Sequence, residues 1–228
     1  MKAFFVFFLG IIYLLLANAV ESILFNRLYF FIGLGLIIVG SVHYMKERNR
    51  YLSRLDDMRE ASERELLAIP HTQCILAEDC LSALLLDEPT NTLYLASRED
   101  LEEELIKKKI PFNKIYEVAI VEDEIFIART SNHLISGSLL EDEQEIEVEE
   151  VDEDDPEYNT VSHLTLKIVA DNLSDPILEY VFLNQEEPIS REEDEYLESL
   201  ELCEKWYQKI SVIIKRYELE RVPIRHWQ

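Results

Sequence analysis

Glycine is nearly missing from this chain. Of 228 residues five are glycine, and beyond Gly40 only Gly137 remains. A phosphate cradle made of backbone N–H groups needs glycine where the chain curls round the anion, so a P-loop or dinucleotide-binding turn is excluded over most of the sequence. Cysteine is as sparse. Cys74, Cys80 and Cys203 form an odd, widely spaced set that gives no disulfide framework and suits a reducing compartment. Positive charge is also short: 22 Lys/Arg stand against 46 Asp/Glu, and residues 61–228 alone hold 15 against 41, a net of −26. Such a surface repels nucleic-acid phosphates and anionic headgroups, and no nucleic-acid partner is expected.

What the chain has instead is two uninterrupted apolar runs at its head, residues 4–20 and 28–42. Each approaches the ~20 residues that carry an α-helix across a bilayer core, and neither contains a charge. Glu21, Asn26 and Arg27 make a short polar turn between them, and Lys46, Arg48, Arg50, Arg54 and Arg59 follow the second. Basic flanks stay on the cytoplasmic side, so the expectation is a transmembrane helical hairpin over residues 1–44, seated in the lipid bilayer of the cell membrane through residues 4–44. The remainder is expected in the cytoplasm. Leu16-Ala17-Asn18-Ala19 also ends in the small-x-small pattern of a secretory cleavage site, but cleavage there would leave the second run crossing with the same basic flank inside. Within that second run Gly33 and Gly40 share one helix face and suit close approach of a neighbouring helix.

Residues 45–69 are polar, charged and free of Gly and Pro, with Leu52, Leu55, Met58 and Leu66 as a thin apolar stripe, and Pro70 closes them. They read as a juxtamembrane helical stalk continuing the second run. Beyond Pro70 the pattern becomes short β-branched and aromatic runs separated by turn residues. Strands are expected at 73–77, 82–86, 92–96, 112–121, 124–129, 161–170 and 177–183, with Asp87-Glu88-Pro89-Thr90-Asn91 as one hairpin turn and Glu122-Asp123 as another. Ser97 with Asp100 carries a capping-box signature and predicts a helix over 98–109, its C-terminal dipole met by Lys107 to Lys109. Ser190 with Glu193 repeats the signature before a long helix. There Tyr196, Leu200, Cys203, Tyr207, Ile210, Ile214 and Tyr217 recur at alternating spacings of four and three, flanked by Trp206 and Ile213. That stripe predicts a helix closing a face of the sheet.

Four sets of residues suggest chemistry, and each fails a physical requirement. Leu84-Leu85-Leu86-Asp87-Glu88-Pro89-Thr90 matches the Walker B segment of ABC-type ATPases, yet no glycine lies between Pro70 and Asp87 to build the phosphate cradle. It reads as a strand and its turn. His71, Cys74 and Cys80 lack the paired spacing of a zinc knuckle, and the thiol of Cys74 beside Ile75 and Leu76 reads as a buried one. His133 and His163 have no nucleophile elbow nearby, and H-E-x-x-H is absent. Residues 141–157 hold twelve acidic side chains in seventeen, without the spaced ligands and central glycine of an EF-hand. They read as a solvated acidic loop, with a basic partner segment as its complement. No catalytic, cofactor-binding or metal-binding residue emerges.

Strands in series closed by one amphipathic helix, with Ile110-Pro111-Phe112-Asn113-Lys114-Ile115 leading into Glu117-Val118-Ala119-Ile120 and Trp206 in the closing helix, resemble the pleckstrin-homology-like domains of bacterial membrane proteins. The resemblance covers residues 70–217 of the 70–228 domain. It implies an α+β fold, a bent antiparallel sheet of about seven strands capped by the C-terminal helix, and a domain that binds proteins, peptides or lipids and is not an enzyme. The predicted helix over 98–109 departs from that pattern, and the basic headgroup-binding loop is not evident. The expectation is therefore a membrane-tethered adapter for a protein partner. The alternative is a membrane-anchored hydrolase using an acidic or His/Cys metal site.

Overall fold

The computed structural model describes residues 2–19, 23–132, 138, 140 and 159–221. The chain divides into two compact units, Met1–Ala61 and Ser62–Gln228. In the first, helix α1 (Lys2–Ala19) lies antiparallel to the leading part of α2 (Ile23–Leu67). Glycine makes the approach possible. A Cβ on Gly10 would fall 2.8 Å from Ile37 Cγ1 and 2.9 Å from Gly33 O, and one on Gly40 would fall 2.9 Å from the Phe7 nitrogen. Gly33 and Gly40 thus face α1, as their spacing suggests, whereas a Cβ on Gly35 would meet nothing. Tyr13 and Tyr29 stack across the pair with ring centroids 5.9 Å apart. Most large apolar side chains here stay exposed, among them Phe4, Phe5, Leu15, Phe31 and Val39, and α2 contains a stretch long and apolar enough to cross a bilayer.

Among its described residues the second unit holds eight strands where the sequence suggests seven, and two sheets where it suggests one. Strands β1 (Gln73–Leu76), β2 (Ser82–Asp87), β3 (Thr92–Ser97) and β4 (Ile106–Pro111) form an antiparallel sheet in that order. Strands β5 (Ile115–Glu122), β6 (Ile125–Ser131), β7 (Thr160–Ala170) and β8 (Ile177–Ser190) form another, ordered β6-β5-β7-β8. Helix α3 (Asp194–Arg221) packs on the second sheet, chiefly on β5, β7 and β8. The main core unites the three: Leu84, Leu86, Leu93 and Leu95 from one sheet, Val118, Ile120, Leu164, Leu166, Ile168 and Tyr180 from the other, and Cys203, Trp206, Ile210 and Ile214 from the helix.

Leu84-Leu85-Leu86 reads as an unbroken apolar run because β2 is covered on both faces. Leu84 and Leu86 face the main core, while Ala83 and Leu85 join Ala96 and Leu105 under Leu66 and Ile69, in and just after the end of α2. The end of the expected stalk is thus part of the domain. Around this second cluster Ser62 Oγ donates to the Cys80 carbonyl at 2.5 Å, and the Glu65 carboxylate receives Arg98 at 2.8 Å and Lys107 at 3.3 Å.

The helix expected over 98–109 does not form. Asp100 instead folds a local turn, its Oδ1 accepting from the Glu102 nitrogen and its carbonyl from the Glu103 nitrogen, and the following residues become β4, paired with the open edge of β3. Strand geometry gives the three consecutive lysines separate partners: Lys107 reaches Glu65, Lys108 reaches Asp175, and Lys109 sits over the Tyr94 ring. Pro111 also disfavours helical backbone at Ile110, which the strand buries. A single 3-10 turn, Phe112–Lys114, then leads into β5.

The β5–β6 connection falls one residue later than expected. Asp123 and Glu124 hold φ of 44° and 74°, the left-handed pair of a type I′ hairpin, and the Asp123 carboxylate accepts from the nitrogens of Ser162 and His163. The acidic loop over 141–157 lies outside the described residues.

Candidate interaction surface on the C-terminal helix

Helix α3 begins at Asp194, four residues later than Ser190 and Glu193 predict: Ser190 ends β8, and the two residues close the turn that leads into the helix, whose first carbonyl acceptor is that of Glu193. The Ser190 nitrogen donates to Glu193 Oε1 at 3.2 Å, and Ser190 Oγ accepts from the Glu192 nitrogen at 3.2 Å. Close by, Arg191 reaches Glu122 at 2.9 Å, and burial with the neighbouring Glu122 pushes the Tyr196 phenol up to about 12. The stripe itself is buried as its spacing requires. Cys203, Ile210 and Ile214 are fully enclosed, and Leu200, Tyr207 and Tyr217 pack against the same core. Burial raises the Cys203 thiol to about 12, which keeps it protonated and unreactive.

What the stripe leaves outside is the candidate site. Along the second half of α3, Val212 and Leu219 are 61% and 75% exposed. They border a groove of about 620 Å³ lined by Thr130, Ser211, Val212, Lys215, Arg216 and Leu219, between the helix and β6. Two contacts hold its walls together: Tyr207 Oη and Thr130 Oγ1 are 2.8 Å apart, and Lys215 Nζ donates to the Ser131 carbonyl at 3.0 Å. Ser211 Oγ is shielded from solvent and has no hydrogen-bond partner among the described residues. The outer edge of β6 carries no further strand among the described residues, and a bulge between Ile120 and Val121 of the β5–β6 ladder marks the strand next to Ile127.

On the opposite flank of the same ridge lies a second groove of about 550 Å³, bounded by Gln73, Leu86, Glu88, Asn91 and Phe112 and, from α3, by Lys205, Lys209, Val212, Ile213 and Arg216. Lys205 pairs with Glu201 at 2.6 Å and so holds that carboxyl below its ordinary range. Lys209 Nζ lies 4.6 Å from the centroid of the Trp206 ring.

The residues that suggested chemistry are dispersed. Asp87 caps the β2–β3 turn, receiving Thr90 Oγ1 at 2.5 Å, so the Walker-like segment is a hairpin end. Cys74 is exposed on β1, not buried as its apolar neighbours suggest, because β1 is an edge strand. The His71 ring nitrogen bonds the Ile69 carbonyl at 2.7 Å, and His163 lies in β7. Among the described residues no group of three or more His, Cys, Asp and Glu is placed to hold a metal ion.

One polar network went unnoticed in the sequence. Glu117 is 1% exposed on the face of β5 turned from the main core, with Arg129 Nε at 3.1 Å and Ser138 Oγ at 2.7 Å. Arg129 also donates to the Leu140 carbonyl at 2.9 Å and stacks 4.4 Å over Phe126. Together they seat Leu140 on Ala119, Val121 and Val169. A lone acidic residue inside an apolar strand was the available signal, and its partners are ten or more residues away. No family model, no curated protein and no solved structure matches this chain.

Proposed function

We propose that this protein is a membrane-tethered interaction module, with a pleckstrin-homology-like domain that binds a protein partner along α3. In this reading residues 4–44 form a two-pass transmembrane hairpin, and the basic run from Lys46 to Arg59 keeps the domain in the cytoplasm. The observation that carries it is the groove between α3 and the outer edge of β6, which pairs with no further strand among the described residues, walled by Val212 and Leu219. Large aliphatic side chains exposed beside an unpaired strand edge fit an extended partner segment, whose backbone adds to the edge while alternate side chains enter the groove. A shallow apolar trough of this kind suits recognition better than turnover.

The test is site-specific photocrosslinking in intact membranes. A photoreactive residue at Val212 should give a discrete protein adduct, and one at the exposed Val181 of β8 should not. Absence of any protein adduct at 212, or the same adducts from both positions, would overturn the reading. Orientation is tested separately: a reporter after Gln228 should be cytosolic and one between Glu21 and Asn26 external.

A further inference from the structure

The groove on the other flank of α3 carries a charge opposite to that of the protein around it. The chain has a net charge of −24, yet the helix side of this groove presents Lys209 and Arg216 together with Lys205, which Glu201 already engages at 2.6 Å, and Glu88 is its acidic side chain. Glu88 is already engaged by Gln73 Nε2 at 3.0 Å. Among the described residues neither Lys209 nor Arg216 forms an ion pair, and Arg216 is exposed. Between the cations lie Val212 and Ile213, with Leu86 and Phe112 across from them.

Resting on the interaction reading above, we infer that this basic groove takes a segment of the protein partner in which acidic side chains alternate with apolar ones. The spacing supports an extended segment. On a helix rising 1.5 Å per residue, Lys205 to Lys209 spans ~6 Å and Lys209 to Arg216 ~10.5 Å. A strand rising about 3.3 Å per residue covers those distances in roughly two and three residues. Side chains alternate across a strand, so carboxylates at relative positions 0, 2 and 4 share the face turned to α3 and lie within reach of its three long cationic side chains, while the residues between them turn to Leu86 and Phe112 on the other wall. An anionic membrane surface is the competing ligand. A protein segment fits better, because it brings a few charges with an apolar filling, whereas a charged bilayer brings a whole plane of them against a domain of strongly negative net charge.

The experiment uses the full chain in phosphatidylcholine nanodiscs. The probes are three fluorescent Leu/Val-based peptides with Glu, Gln or Lys at relative positions 0, 2 and 4, together with phosphatidylserine vesicles. The Glu peptide should bind with an affinity that falls as salt rises, and the Gln and Lys peptides should bind at least about tenfold more weakly. Lys209→Glu with Arg216→Glu should reverse the order, so that the Lys peptide now binds best. Lys209→Gln with Arg216→Gln should remove the preference, and far-UV circular dichroism melts of both variants should match the parent. Equal binding of the Glu and Gln peptides overturns the inference and leaves the interaction reading standing. Vesicle recruitment without peptide binding overturns it in favour of a lipid surface. No peptide binding, with a protein adduct still formed at residue 212, overturns the acidic partner alone.

Discussion

Replacing Leu66 by alanine should destabilise the domain far more than the same change at its neighbour Leu67. Leu66 is fully buried, whereas Leu67 is 39% exposed. The cost has two parts: the transfer free energy of the deleted carbons, and the cavity they leave. Here the cavity has little means of closing, since much of its lining is Ala83 and Ala96 on paired strands, and an alanine in a ladder cannot swing into a void. Large-to-small changes at buried leucines cost about 2 to 5 kcal/mol, and a rigid site belongs in the upper half of that range. The ion pairs of Glu65 with Arg98 and Lys107 survive the substitution, but partly exposed pairs are worth ~1 kcal/mol or less and do not compensate. For a domain of this size each kcal/mol shifts the melting temperature by about 2 to 4 °C, so Leu66→Ala should lower it by roughly 7 to 20 °C. Leu67→Ala should stay within about 0.5 kcal/mol of the parent. The assay is thermal unfolding of the full chain in detergent, followed by circular dichroism. Equal melting temperatures for the two variants would refute the idea that α2 completes a core.

Other outcomes follow from the same packing. Trp206→Ala should cost about 3 to 5 kcal/mol, because Trp206 is 3% exposed in the main core, and an unchanged denaturation midpoint would place it on an interface instead. Gly10→Val should separate α1 from α2, since a Cβ there meets backbone at 2.9 Å, while Gly35→Ala should be silent. Disulfide formation between Tyr13→Cys and Tyr29→Cys, with the native cysteines replaced, reads out the difference. Maleimide should label Cys74 in the native protein and Cys203 only on unfolding; rapid native labelling of Cys203 would contradict its burial. Raising pH above about 9 should weaken the fold. The folded-state pKa values of Cys203 and Tyr196, each pushed up to about 12, exceed their unfolded values of 9 and 10, so their contribution is complete below pH 9 and is lost toward pH 12. Melts at pH 8 and 11 check the sign.

How much of this was legible in the sequence depends on how local each signal is. The α3 stripe, the Asp87–Asn91 turn and the helical continuation into residues 45–67 are written in neighbouring residues, and the structure has them, whereas Ser190 and Glu193 mark a turn four residues ahead of the helix they predict. The strand β4 is not, because Ser97 and Asp100 spell a cap equally well as a turn, and the deciding term is the unpaired edge of β3. The division into two sheets depends on β5 pairing with β7 across residues 133–159, a long-range choice with no local mark. The exposure of Cys74 has the same origin, since being an edge strand is a property of the sheet and not of Gln73–Leu76. Both grooves of the candidate surface join α3 to residues far from it in sequence. The helical period fixes which side chains α3 buries, but not what stands beside those it leaves out.

The placement of Ser62, Leu66 and Ile69 on the outer face of the first sheet bears on how the protein is made. Translation delivers α2 before any strand, so the turn that covers β2 has left the ribosome when Ala83, Leu85 and Ala96 emerge. The outer leucine of the strand finds its cover on the chain already synthesised, a short loop away in sequence, instead of waiting for a later segment. Folding of the domain is thereby coupled to the fate of the helix ahead of it: a nascent chain in which the end of α2 fails to dock exposes an aliphatic sheet face, the kind of surface that quality-control chaperones and proteases select.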